Sequence, residues 1–172
     1  SSTVAWTAAS GVEYLLLVTS SVLSSSSLST LEHFELTIVD NDLCENAFGP
    51  IPPLDTFLFG STSDGATVDA APSCGMASSP TVPGVWYTII GKGGLITAST
   101  CGGTDFDARI SVFSGDSCDR RTCVDGNDDA CGAQSLVTFY SMQDQTYHLL
   151  VHGVGSESGN FTLSVAINAD LT

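Results

Sequence analysis

Ser135-Leu136-Val137-Thr138-Phe139-Tyr140, followed by Thr146-Tyr147-His148-Leu149-Leu150-Val151, is the stretch on which the fold turns. Val137 and Phe139 alternate with hydroxyl-bearing residues, the period-two pattern of a strand with one face buried. The same two segments occur earlier at the same spacing, as Ser2-Thr3-Val4-Ala5-Trp6-Thr7 and Glu13-Tyr14-Leu15-Leu16-Leu17-Val18. After a loop that is longer in the first copy, Phe34-Glu35-Leu36-Thr37-Ile38 matches Phe161-Thr162-Leu163-Ser164-Val165, and Asp42-Leu43 matches Asp170-Leu171. The C-terminal end of one structural repeat is thus present twice. Residues 1–42 read as the last strands of a preceding repeat, and residues 43–172 as one complete repeat.

Outward from that pair, further strands are expected at 56–59, 85–90, 95–99 and 109–113, separated by turns such as Gly91-Lys92-Gly93-Gly94. Gly11 marks a turn in the first copy. The serine-rich run at 20–30 lacks periodicity and reads as an exposed loop open to O-glycosylation. Nowhere does a helical spacing persist for more than about ten residues. Seven or eight short strands in 43–172 are the complement of an all-β, antiparallel two-sheet sandwich or jelly roll. Three strands in 1–42 cannot cover their own apolar side.

Charged residues make up only 13% of the 172-residue chain, and 19 acidic residues against four basic ones give a net charge of -15. Four cations cannot supply the basic stripe that nucleic acid requires. The longest apolar run, 14–18, is too short to span a bilayer. A first residue Ser1, with no Met or leader-like segment, reads as a processed product, a proteolytic piece or part of something longer.

Six cysteines, at 44, 74, 101, 118, 123 and 131, contain no C-x-x-C pair and no histidine at zinc spacing, which points to three disulfides. Spacing favours a local clip Cys118 to Cys123, with Cys101 to Cys131 flanking it and Cys44 to Cys74 as the third bridge, although other connectivities stay open. An oxidising, extracellular or cell-surface location follows.

From Asp42 to Val165 the chain resembles the cysteine-bearing, tandem kind of bacterial pre-peptidase C-terminal domain. The residues carrying the likeness are Asn41-Asp42-Leu43-Cys44-Glu45-Asn46-Ala47, Gly84-Val85-Trp86-Tyr87, Thr104-Asp105-Phe106-Asp107 ahead of Ile110-Ser111-Val112-Phe113, Gly126-Asn127-Asp128-Asp129, and 147–153 ahead of Gly159-Asn160-Phe161-Thr162-Leu163. The resemblance implies a β-sandwich appended to secreted peptidases or strung along surface proteins, with a role in binding or spacing and not in chemistry.

Three groups of residues could carry function. Asp105, Asp107, Asp125, Asn127, Asp128 and Asp129 offer the hard oxygen ligands that Ca²⁺ prefers, and a Cys101 to Cys131 bridge would draw them together. The plainer reading is that they fold their own turns, and the spacing is not that of an EF-hand. Asn160-Phe161-Thr162 is the one N-linked acceptor sequence, an expected site in a secreted eukaryotic chain and a chance match in a bacterial one. The histidines, His33, His148 and His152, sit on or beside strands without a G-x-S-x-G elbow or an H-E-x-x-H helix, so no enzyme is expected; His148 and His152 read as an exposed pair. Trp6 and Trp86 read as core.

The expected function is structural: a subunit of an extracellular filament or surface array, joined head to tail by strand complementation through Val4, Trp6, Tyr14, Leu16, Val18, Phe34, Leu36 and Ile38. Its partners would be copies of itself or neighbouring repeats. The alternative is a carbohydrate- or protein-binding accessory module of a secreted enzyme, which an open aromatic platform would favour.

Overall fold

Nine strands pack as two sheets over one apolar core in the computed structural model, which describes residues 41–52, 56–63 and 66–168. They are β1 (Phe48–Ile51), β2 (Thr56–Ser61), β3 (Gly84–Ile90), β4 (Gly94–Ser99), β5 (Ala108–Ser114), β6 (Thr122–Asn127), β7 (Leu136–Ser141), β8 (Thr146–Gly153) and β9 (Asn160–Asn168). One sheet runs β1-β3-β8-β5-β6 and the other β2-β9-β4-β7. The pairs are antiparallel except β1 with β3, which is parallel. The all-β sandwich is therefore as the alternation required. The proposed tail strands, with Gly11, His33 and the eight assembly residues from Val4 to Ile38, lie outside the described residues.

Alternation fixes the core. Val85, Tyr87 and Ile89 of β3, Tyr147, Leu149 and Val151 of β8, and Ile110 and Val112 of β5 face Ile96, Val137, Phe139, Phe161, Leu163 and Val165 of the other sheet. Strands β1 and β6 were not foreseen. β6 was hidden because Thr122-Cys123-Val124-Asp125-Gly126-Asn127 is an exposed edge strand with little apolar content.

A second, smaller core lies on the outer face of the five-stranded sheet. Trp86, Phe113 and Leu150 point outward there, yet all are buried, because Cys44, Ala71 and Cys74 of the connecting segment roof them. Two disulfides hold the roof down, Cys44–Cys118 and Cys74–Cys123, while Cys101–Cys131 links two loops at one end of the sandwich. The pairing of Cys118 with Cys123 and of Cys44 with Cys74 is thus corrected, and that of Cys101 with Cys131 stands. The spacing rule failed because it took the 118–123 loop as self-contained, whereas Cys118 anchors the turn before β1 and Cys123 the connection between β2 and β3. Arg121 completes the roof, its guanidinium 4.8 Å from the Trp86 ring centroid and donating to the Ala70 carbonyl.

Burial corrects the histidines. His148 and His152 do share one face, but they are buried and not exposed. His148 Nε2 donates to the Gly115 carbonyl at 3.0 Å and its Nδ1 lies 3.7 Å from Cys44 Sγ. His152 Nδ1 donates to the Gly153 carbonyl at 3.0 Å.

Candidate functional site

The acidic residues singled out in the sequence separate into two sets. Asp107, Asp128 and Asp129 bring carboxylate oxygens within 4.8 Å of one another. Asp107 enters from the loop before β5 and the other two from the end of β6, and Ser135 ties these strands together. Its buried hydroxyl lies within 2.8 Å of the carbonyls of Ala108, Asn127 and Asp128. The remaining three each accept from a backbone amide outside that cluster. Asp105 Oδ1 accepts from the Asn160 amide, Asp125 Oδ1 from the Gly126 amide, and Asn127 Oδ1 from the Leu136 amide. Those are turn and strand-end bonds of the kind short polar side chains make.

Charge within the triad is crowded. Arg109 Nη2 pairs with Asp128 Oδ2 at 2.7 Å, and the Arg109 guanidinium also donates to Ser78. Asp107 Oδ1 and Asp128 Oδ1 are buried without a hydrogen-bond partner among the described residues. Burial first, and then the charges of Asp128, Asp129 and Glu157, push the Asp107 carboxyl above its ordinary value. Three carboxylates could coordinate a hard cation, but Arg109 already supplies one positive charge at the same place.

The opposite side of the molecule presents a different surface. Outward positions of the four-stranded sheet are Phe57 and Phe59 on β2, Thr162, Ser164 and Ala166 on β9, Leu95, Thr97 and Ser99 on β4, and Leu136, Thr138 and Tyr140 on β7. None of them is charged, in a chain of net charge -15. The loop at 101–104 packs on one end of this face, with Gly103 against the Thr162 side chain and Ser99 buried beneath it. Phe57 and Phe59 are each 68% exposed and Tyr140 is 58% exposed. Hydroxyls line the ground between them, with Thr97 and Thr138 bonded across the strands at 3.0 Å.

Both phases of Thr56-Phe57-Leu58-Phe59-Gly60 are apolar, so alternation alone does not say which side faces inward. Gly60 decides it. A Cβ at Gly60 would collide with the Phe161 ring and the Tyr87 hydroxyl, so the glycine must face the core. The two phenylalanines, on the other phase, are then turned outward. Their role was missed for that reason; the signal was a glycine in phase with Leu58.

No protein family matches the sequence, and no curated protein does. Among solved structures, the Yersinia pseudotuberculosis-derived mitogen is similar over 70% of this chain and 92% of that one, with 14% identity and a TM-score of 0.39. A likeness that loose carries no argument about fold or function. The three disulfides place the protein in an oxidising, extracellular setting. Among the described residues no helix is long and apolar enough to cross a membrane.

Proposed function

We propose that this chain is a non-catalytic extracellular binding module that docks onto an uncharged polysaccharide through the outer face of its four-stranded sheet. The observation that carries the reading is the pair Phe57 and Phe59, side by side and 68% exposed on a face without charge. Three arguments favour a sugar chain as the occupant. An ionic partner finds nothing to pair with on that face. Four strands about 4.8 Å apart and six residues of about 3.4 Å each give a patch of roughly 400 Å². That is about half of the roughly 800 Å² per partner that a stable protein interface buries. Finally, a pyranose ring has apolar C–H faces and a hydroxyl rim, which suit aromatic rings and the hydroxyls of Thr97, Thr138, Thr162 and Ser164 respectively. The resemblance to pre-peptidase C-terminal domains points toward binding or spacing as well.

Depletion assays with insoluble uncharged polysaccharides, and with carboxylated counterparts, test this reading. Phe57→Ala with Phe59→Ala should lower retention by at least tenfold, since burying one phenylalanine contributes about 1.5–3 kcal/mol. Their exposure means the melting temperature should stay where it is. Equal retention of the double variant, or none by the wild type on any uncharged polymer, refutes the proposal.

The internal repeat favours a second reading, the filament or surface array in which residues 1–42 complete a sandwich with another copy or repeat. Oligomeric state with and without residues 1–40 discriminates. Assembly that survives the deletion argues against strand complementation. In either reading a Ca²⁺ would sit at Asp107, Asp128 and Asp129.

A further inference from the structure

We propose that Asn160 is an N-linked glycosylation site whose first sugar residues lie over Phe59, so that the chain carries its own occupant for one end of the aromatic face. The sequon Asn160-Phe161-Thr162 opens β9, and its alternation is decisive. Phe161 is buried in the core, while Asn160 and Thr162 face outward with Phe57 and Phe59. Register places Asn160 opposite Ser61, Thr162 opposite Phe59 and Ser164 opposite Phe57. Asn160 and Phe59 are therefore diagonal neighbours across an antiparallel pair, with Cβ atoms about 7–8 Å apart or less. An asparagine side chain bearing one pyranose covers that span.

The direction of the modified side chain is also held. Asp105 grips the Asn160 backbone from both sides, its Oδ1 accepting the amide at 2.9 Å and its own amide donating to the carbonyl at 3.2 Å. With its backbone held at both groups, Asn160 keeps its outward register, and a sugar on it starts from the sheet face beside Phe59. Once there, the C–H face of the ring meets Phe59, which no other described residue covers. Oxygens on its rim lie toward Thr162. Attachment replaces one amide N–H bond of Asn160 by a bond to C1 of the sugar; the C1–O bond of a lipid-linked glycosyl pyrophosphate breaks, and the lipid pyrophosphate departs with the amide proton.

The modification stands on the sequon and on the exposure of Asn160, and the lie of its glycan on the strand register; the consequence for docking rests on the polysaccharide reading. A glycan lying on Phe59 competes with an external chain for the same ring. The full chain secreted from a eukaryotic host tests both. Intact mass should show a glycan that peptide N-glycosidase removes and that Asn160→Gln lacks. The glycosylated chain should melt a few degrees above Asn160→Gln, and in a Phe59→Ala background this difference should vanish. An unmodified Asn160 in the secreted protein, or a glycan whose stabilisation is indifferent to Phe59, overturns the proposal. Retention on uncharged polysaccharide by glycan-free Asn160→Gln reports separately on the docking reading. If that variant binds, the glycosylated chain should bind at least tenfold more weakly; equal binding shows that the sugar does not lie on the ring.

Discussion

His152 shows how one buried side chain makes the stability of this sandwich depend on pH. Burial, the largest cause, pulls its pKa down to about 4, with the Arg109 charge adding in the same direction and the Gly153 and Asp128 contacts opposing. A base whose folded pKa lies below its unfolded value of 6.5 binds more protons when unfolded, so its stabilising share is complete above pH 6.5 and is lost as pH falls toward 4. The loss amounts to about 3 kcal/mol at most. Urea melts at pH 7.5 and pH 4.5 should show it, and His152→Gln should flatten the profile. Asp107 runs the other way: its raised pKa means that ionising it costs stability at neutral pH. Asp107→Asn should therefore raise the melting temperature in EDTA. Adding Ca²⁺ should stabilise the wild type and not this variant, because an ion held only by the folded state acts by mass action. A calcium-indifferent wild type leaves Arg109 as the counter-ion of the triad.

Among the elements, the roof over the five-stranded sheet depends most on covalent bonds. Residues 66–83 contain no strand among the described residues, and together with Cys44 of the turn before β1 they cover Trp86, Phe113 and Leu150 with little beyond Ala71 and Cys74. Disulfides closing separations of 74 and 49 residues restrict the unfolded chain by about 4 kcal/mol each on the loop-entropy model. Replacing Cys74 and Cys123 by serine should lower the melting temperature and shift Trp86 fluorescence to the red as the roof lifts. Replacing Cys101 and Cys131 should lower the melting temperature without that spectral change. A red shift in both pairs would mean that the roof does not depend on its own staple.

For the whole molecule, the two outer surfaces divide the work. One sheet is roofed and stapled, with Arg109 paired to Asp128 and Arg121 over Trp86; the outward side chains of the other are uncharged, and Phe57, Phe59 and Tyr140 stand open. Excess negative charge makes copies of the chain repel at long range, and the face proposed for docking carries none of it. Docking to an uncharged polymer through that face should change less than twofold between 50 mM and about 1 M salt, since no ion pair is there to be screened. A steep salt dependence in depletion assays would move the contact to the acidic side.

The sequence by itself determined the all-β sandwich, most strand positions and the burial of Trp86, because period-two alternation and Gly-rich punctuation are local consequences of backbone geometry. It also placed three disulfides in an oxidising compartment, as cysteine count and charge depend on no fold. Only the tertiary structure decided which cysteines pair, that His148 and His152 are buried, that Asp107, Asp128 and Asp129 meet while Asp105, Asp125 and Asn127 bond backbone amides elsewhere, and that Phe57 and Phe59 face outward. Each of these depends on which segments cross which face of which sheet. That is set by contacts between residues far apart in the chain, and Gly60 shows how: the space it must leave for Phe161, more than a hundred positions away, turns two phenylalanines toward the solvent.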